Sequence, residues 1–407
     1  MIRTTPAPES YTRFSCPNPH CARFNRPGEG NIAHRSWTGR HKHIERLRCT
    51  TCGREFSERE GTLMARSTLP EATVAQLLTC QRWGVCDAGT ADICAVALKT
   101  VHRFQRVAAP RAEVHHRQSV QHLAVQGVQW DEAHAKLRPH HVAWGHTAVA
   151  MGSGFLLWVD FGPRHQDTAA ALIAQVIART RALPLLLTDG WKAYTAALLQ
   201  VWGIVYRRRR RGTVGRQPQP RLVAPQTLLY AQVVKVRTTT GHVVEVSRRG
   251  VCGGPRRLGK QLRRHQLGTT MQTACMARWY GTLRGLVAPL RRRTRGLSGS
   301  HTRHRGKVWL VVSLYNFVMP HKSLRQGRTP RTPAMAIGLT DHMWSYGEYL
   351  GLPVHTDPVL TKQMNERIAQ LLTPALQDQP LGRKQAPTQR ETRAENDKEA
   401  APLPKAA

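Results

Sequence analysis

The stretch Leu185-Leu186-Leu187-Thr188-Asp189-Gly190-Trp191-Lys192-Ala193-Tyr194 decides the fold. Three leucines in a row after Pro184 are too short an apolar run for a helix and predict a strand buried on both faces. Asp189 ends the strand, Gly190 turns the chain, and residues 191–200 read as a helix. A carboxylate at the C-terminal end of a buried strand is where open α/β folds place chemistry, and capping of the next helix is the bland alternative. A second strand of the same kind, Val125-Gln126-Gly127-Val128-Gln129-Trp130-Asp131-Glu132, also ends in acid.

Around these two stretches the pattern is that of an α/β domain. Strands are predicted at 124–131, 141–151 and 155–161, with Gly152-Ser153-Gly154 as a turn. An Ala-rich helix at 168–181, capped by Asp167, leads to the Asp189 strand and its helix. Three strands, helix, strand, helix is a mixed sheet with an antiparallel start and a parallel strand joined by a crossover helix. Arg207, Arg208, Arg209, Arg210 and Arg211 open a basic, Gln/Pro-rich loop that is disordered or tracks DNA. Residues 233–246 predict a β-hairpin, read as part of an insertion over 207–255. Helices are expected at 270–290 and 308–317. From 353 to 407 the chain predicts a loose tail, with one helix around 360–372.

A chain of 407 residues is long enough for two or three domains. Its 61 Lys+Arg against 25 Asp+Glu give a formal charge of +36, which opposes compaction unless a polyanion offsets it. Double-stranded DNA is the expected partner, with steep salt dependence. A membrane is not, because no apolar run approaches the ~18 residues a span needs. The first ten residues lack the apolar core of a signal peptide, so the nine cysteines are expected reduced in a cytoplasm, where a cluster reads as metal before disulfide.

Cys16 and Cys21 form a C-x4-C pair and Cys49 and Cys52 a C-x2-C pair, so residues 11–61 predict a zinc ribbon with four thiolates on one Zn²⁺. Phe14 and Phe56 fit as its small-core aromatics; His20, His34, His41 and His43 are alternative ligands, though they fit better as a wet basic surface. Residues 67–107 predict a helix-turn-helix of three helices, the last carrying Lys99, His102, Arg103 and Arg106 on a basic face. The bland reading is a three-helix packing unit with a solvated basic face. Residues 108–122 read as a linker.

Taken together, Trp130-Asp131-Glu132, Trp158-Val159-Asp160, 188–194, 273–284 and the ending at 315–336 resemble bacterial insertion-sequence transposases of the DDE, RNase H-like type. The resemblance is to members with an N-terminal zinc ribbon and helix-turn-helix, and it spans roughly residues 10–350. It implies an RNase H-like catalytic domain over 123–325, and a nucleoid-associated protein that assembles as a homo-oligomer on paired DNA ends. It further implies cleavage and joining of DNA strands by three carboxylates holding two Mg²⁺ ions ~4 Å apart. Asp131 and Asp189 match the first two acids. Successive side chains point to opposite faces of a strand, so Glu132 is expected to face away. The late helix matches at Arg278, Leu283 and Arg284, but Ala277 stands where the family has its glutamate and Tyr280 replaces an asparagine. There is no Asp or Glu between Glu245 and Asp341. The chain is then a transposase with an incomplete site, or a DNA-binding relative without catalysis. Rescue by Asp160, Glu132 or Glu245 would need a carboxylate within ~5 Å of both aspartates. Arg278, Arg284, Arg291, Arg292 and Arg293 are expected on DNA phosphates. An RNA-binding or ribosome-associated basic protein is a third reading, but leaves the Asp-tipped strands unexplained.

Overall fold

The structure, a computed structural model, describes residues 11–39, 43–137, 142–206, 219–240, 242–291, 297–351, 354 and 358–372. Arg207 to Arg211, Arg292, Arg293 and the segment 373–407 lie outside the described residues. In chain order the first elements are β1 (Ile32–Thr38), β2 (Ile44–Cys49), β3 (Glu55–Ser57), α1 (Glu71–Arg82), α2 (Asp87–Ile93) and α3 (Leu98–Ser119). Then come β4 (Gly127–Lys136), β5 (Val142–Ala150), β6 (Leu156–Gly162), α4 (Gln166–Arg179), β7 (Leu185–Thr188) and α5 (Lys192–Trp202). A short pair, β8 (Ile204–Tyr206) and β9 (Arg221–Val223), precedes β10 (Tyr230–Arg237) and β11 (Val243–Cys252). The rest is helical: α6 (Pro255–Arg264), α7 (Ala274–Leu286), α8 (His301–Phe317), α9 (Pro333–Ala336), α10 (Tyr346–Gly351) and α11 (Pro358–Leu372).

The chain divides into two compact units. The first comprises Met1–Val120, Ala135–Val142 and Gly281–Gln363. It therefore takes in the later part of the 123–325 span that the sequence assigned to one catalytic domain. Its antiparallel sheet β1-β2-β3 closes over Tyr11, Cys16, Cys21, Ile32, Leu47, Cys49 and Phe56, with Phe14 packed against this small core. His34 belongs here rather than to a wet surface, since its Nδ1 lies 2.7 Å from the buried Glu45.

The expected linker at 108–122 is instead the second half of α3, which runs unbroken through Pro110 to Ser119. A proline inside a helix removes one hydrogen bond. Here it sits on the exposed face, while Ala108, Ala109, Ala112, His115 and His116 are buried. Glu113 takes Arg305 of α8 at 2.7 Å, and His116 packs on Trp309 with ring centroids 5.1 Å apart. The end of α1 meets the end of α7 at Gly84, which has φ +67°; a Cβ there would lie 2.2 Å from the Gly285 carbonyl oxygen.

The second unit comprises Gln121–His134, Ala143–Tyr280 and Met364–Ala407. It is built on a six-stranded mixed sheet in the order β11-β10-β7-β4-β5-β6. β4, β7 and β10 run parallel, and β6 pairs antiparallel with β5, so the expected antiparallel start and parallel crossover are present. The hairpin β10–β11 is not an insertion, because β10 continues the central sheet, pairing Tyr230 with Leu186 and Gln232 with Thr188 of β7. Its valine-rich sequence is that of an inner strand. The α4 cap also differs, with the His165 side chain accepting from the Asp167 N–H.

Helices cover both faces of this sheet. On one side Tyr194 of α5 packs against Trp130, and α5 lies beside α4. On the other, Leu258 and Leu262 of α6 pack on Leu185, Leu187 and Ala231. The helix expected around 360–372 is present as α11, whose Met364 and Ile368 pack on Ala174 and Ala178 of α4.

Candidate functional site

The parallel register brings the two predicted aspartates together. Gln129 pairs with Leu187 across β4 and β7. Asp131 and Asp189 each lie two residues further on, so alternation puts them side by side on the sheet face that α6 covers. Gln129, on the same face, anchors α7: its Nε2 donates to the Gln272 carbonyl at 2.6 Å, and its Oε1 accepts the Met276 N–H at 3.3 Å. Gly190 lets the chain turn directly after Asp189, since a Cβ there would come within 2.9 Å of Val234. Asp189 then accepts the Trp191 N–H at 2.9 Å.

Glu132 joins them, contrary to the expectation that it faces away. One oxygen each from Asp131, Glu132 and Asp189 lie within 4.8 Å of one another. The alternation argument holds for direction but not for reach. Trp130 and Glu132 share the α5 face, and Tyr194 touches both, donating its OH to Glu132 Oε2 at 2.7 Å. The pairing of β4 with β7 ends at Gln129, so on that side no strand separates the long glutamate side chain from Asp189. Arg164, from the β6–α4 turn, holds the other oxygen at 2.7 Å and stands over the rings of Trp144 and Trp191. Asp160 and Glu245, the other two rivals, are not in the cluster.

The electrostatics are those of crowded acids. Burial pushes the Asp131 carboxyl up to about 7, and the charges of Asp189 and Glu132 add to the rise. Asp189 is raised as well, again chiefly by burial, with Glu132 contributing. Lys235 of β10 opposes both shifts, and its Nζ lies 3.5 Å from Thr273 Oγ1. Oxygen donors held this close suit a hard divalent cation such as Mg²⁺.

On α7, Tyr280 donates its OH to the Asp131 carbonyl at 2.8 Å, so the helix is docked against the site. Ala277 lies one turn earlier, is exposed, and brings no ligand.

A second cluster lies in the first unit. One Sγ from each of Cys16, Cys21, Cys49 and Cys52 falls within a common 4.8 Å, with Cys16–Cys52 at 3.6 Å and Cys21–Cys49 at 3.9 Å. These four thiols could hold a metal such as zinc. The surroundings favour thiolates at the C-x2-C pair. Burial opposes ionisation of Cys49, but the Cys52 and Thr51 N–H groups and the Asn31 amide outweigh it and bring its thiol down to about 6. Asn31 Nδ2 lies 3.1 Å from that sulfur.

The residues expected on DNA divide. Lys99, Arg103 and Arg106 lie on one exposed face of α3 at helical spacing. His102 does not: it turns toward Asp87 at 3.3 Å, which Lys307 also holds at 2.8 Å. Arg278 is exposed. Arg291 is occupied with helix ends, donating to the carbonyls of Arg284, Gly285 and Gly84 at 2.7–3.3 Å. Sequence reasoning missed Arg164, Tyr194 and Lys235 at the acid cluster, and kept Glu132 only as one of three candidates for rescue. Only Glu132 carried a signal, as the immediate neighbour of Asp131. A scan of protein-family models and a search of curated proteins find no match for this chain.

Proposed function

We propose that the chain is a DNA transposase of the DDE, RNase H-like type that cuts and joins strands at a carboxylate site formed by Asp131, Glu132 and Asp189. The observation that carries this reading is the meeting of three carboxylates within 4.8 Å just beyond the parallel pairing of β4 with β7, with Asp131 and Glu132 midway along β4 and Asp189 immediately after β7. The mixed sheet with its antiparallel start, and the family-like order of the motifs along it, support it further. Asp131 and Asp189 would hold Mg²⁺, with Glu132 in place of the carboxylate that Ala277 lacks. When bound, such ions activate a water or 3′-hydroxyl and stabilise the leaving oxygen. Arg164 and Tyr194 fix the Glu132 carboxylate, and Lys235 offsets part of the negative charge. The four-cysteine sheet reads as a zinc ribbon and α1–α3 as a helix-turn-helix, together binding the element's ends. Pairing of two ends calls for a homo-oligomer.

The test is Mg²⁺- or Mn²⁺-dependent nicking and strand transfer on duplex DNA carrying the element's ends. The intact protein should cut, and both Asp189→Asn and Glu132→Gln should lower the rate at least ~100-fold, the scale on which loss of a strong electrostatic contact slows catalysis. A second reading, a DNA-binding relative without catalysis, is favoured by Ala277. It is the better one if the intact protein binds DNA without cutting and Ala277→Glu restores cutting that depends on Asp189.

A further inference from the structure

Helix α6 has no role in the site described above, and its sequence was not singled out as a helix. Pro255-Arg256-Arg257-Leu258-Gly259-Lys260-Gln261-Leu262-Arg263-Arg264 has Pro at its start and two leucines four apart. Those leucines are buried, and they pin the helix to the sheet face that carries Asp131 and Asp189. The remaining pattern is unusual. Arg256, Arg257, Lys260, Arg263 and Arg264 are all exposed. At 3.6 residues per turn they fall within about 120° of arc, centred opposite the two leucines. Lys260 has a cation three or four residues away on four counts: Arg256, Arg257, Arg263 and Arg264. Like charges at those spacings destabilise a helix. Among the described residues none of the five is ion-paired, and the only hydrogen bond from these side chains is that of Arg257 to the Gln226 carbonyl at 3.2 Å. No acid occurs in the sequence between Glu245 and Asp341 to offset them.

We infer that the outer face of α6 is a binding surface for the phosphate backbone of duplex DNA. This rests on the reading of the chain as a DNA-processing enzyme and adds to it a surface on the catalytic unit itself. From Arg256 to Arg264 the helix advances about 12 Å. Duplex DNA carries one negative charge per ~1.7 Å of axis, so about seven phosphates lie within that length, enough for five cations. The contact is to backbone, so it positions DNA without reading its sequence. Because α6 covers the face on which the two aspartates lie, DNA held there is on the correct side of the sheet for the acids.

The experiment is duplex binding by the full-length protein across a salt series, without Mg²⁺, on a 30-base-pair duplex of arbitrary sequence. Each phosphate contact contributes about 0.9 to the slope of log K against log salt. Replacing all five cations by Gln should reduce the slope by up to about 4.5, and Lys260→Gln alone by about 0.9. A variant with the four arginines changed to Lys should keep the slope, which separates charge from fold. Circular dichroism of the Gln variant should match the parent and its melting temperature should be no lower, because neither leucine is touched and like-charge repulsion is relieved. An unchanged slope in a folded Gln variant overturns the assignment of α6 while leaving the enzyme reading intact. If the intact protein shows no salt-dependent binding to duplex at all, the enzyme reading fails and the α6 proposal with it. Binding to anionic vesicles in preference to duplex would equally overturn the proposal.

Discussion

At the scale of single residues, the acids explain one another. Asp131 and Asp189 were legible because each directly follows a buried apolar stretch of strand, and the β4–β7 register makes them neighbours. Glu132 was not, because alternation predicts where a side chain starts and not where a long one ends. Its place is set by Arg164 and Tyr194, which come from distant parts of the chain and leave no mark near Glu132 in the sequence. The same crowding has a pH signature. Asp131 has a folded pKa of about 7, above the ordinary carboxylate value. Between about pH 4 and 7 the folded chain then keeps a proton that the unfolded chain releases, so stability falls as pH rises through that window. In Mg²⁺-free buffer Asp131→Asn should therefore raise the melting temperature at pH 8, by a stabilisation on the order of a few kcal/mol. The gain should vanish toward pH 4. Thermal melts of both proteins across pH check this, and a parent whose stability is flat between pH 4 and 8 would refute it.

At the scale of elements, the strands and helices of the second unit were legible where hydrophobic periodicity is strong, as in the Leu185–Thr188 strand and the Ala-rich α4. Two elements were misread for identifiable reasons. Pro110 signals a stop, yet α3 continues because its small buried alanines and Glu113 are held by tertiary contacts with α8. The β10–β11 hairpin looked local, yet β10 completes the parallel core, and pairing with a distant strand is invisible to a local pattern. Helix ends supply a further prediction. Gly84 combines a left-handed backbone with a 2.2 Å approach of the Gly285 carbonyl to its missing Cβ. Gly84→Ala should destabilise the first unit by roughly 1–3 kcal/mol, read as a lower midpoint in chemical denaturation. An unchanged midpoint would mean that the α1 and α7 ends do not need this contact.

At the scale of the whole molecule, two features dominate, the charge of +36 and the four-cysteine sheet. Self-repulsion of this size should make the free protein more stable with added salt or duplex DNA, because both offset it. Melting temperature should rise from low salt to 0.3 M NaCl; a fall would show that the surface charges are already balanced within the fold. The small sheet β1-β2-β3 buries few apolar side chains besides its cysteines, so it should depend on its metal. We expect one zinc per chain by atomic absorption, and its loss in Cys49→Ser together with protease sensitivity of the N-terminal segment. A zinc-free protein with a protease-resistant N-terminal segment would show that the sheet stands without metal.

The central claim is that Asp131, Glu132 and Asp189 form one divalent-metal site. The most direct measurement is Mn²⁺ binding by electron paramagnetic resonance on the intact protein, Glu132→Gln, Asp189→Asn and Ala277→Glu. The parent should bind Mn²⁺, both acid removals should weaken binding at least ~10-fold, the scale of a lost charged contact of about 1.5–3 kcal/mol, and Ala277→Glu should tighten it. Binding that is absent from the parent, or present and indifferent to Glu132 and Asp189, would contradict it.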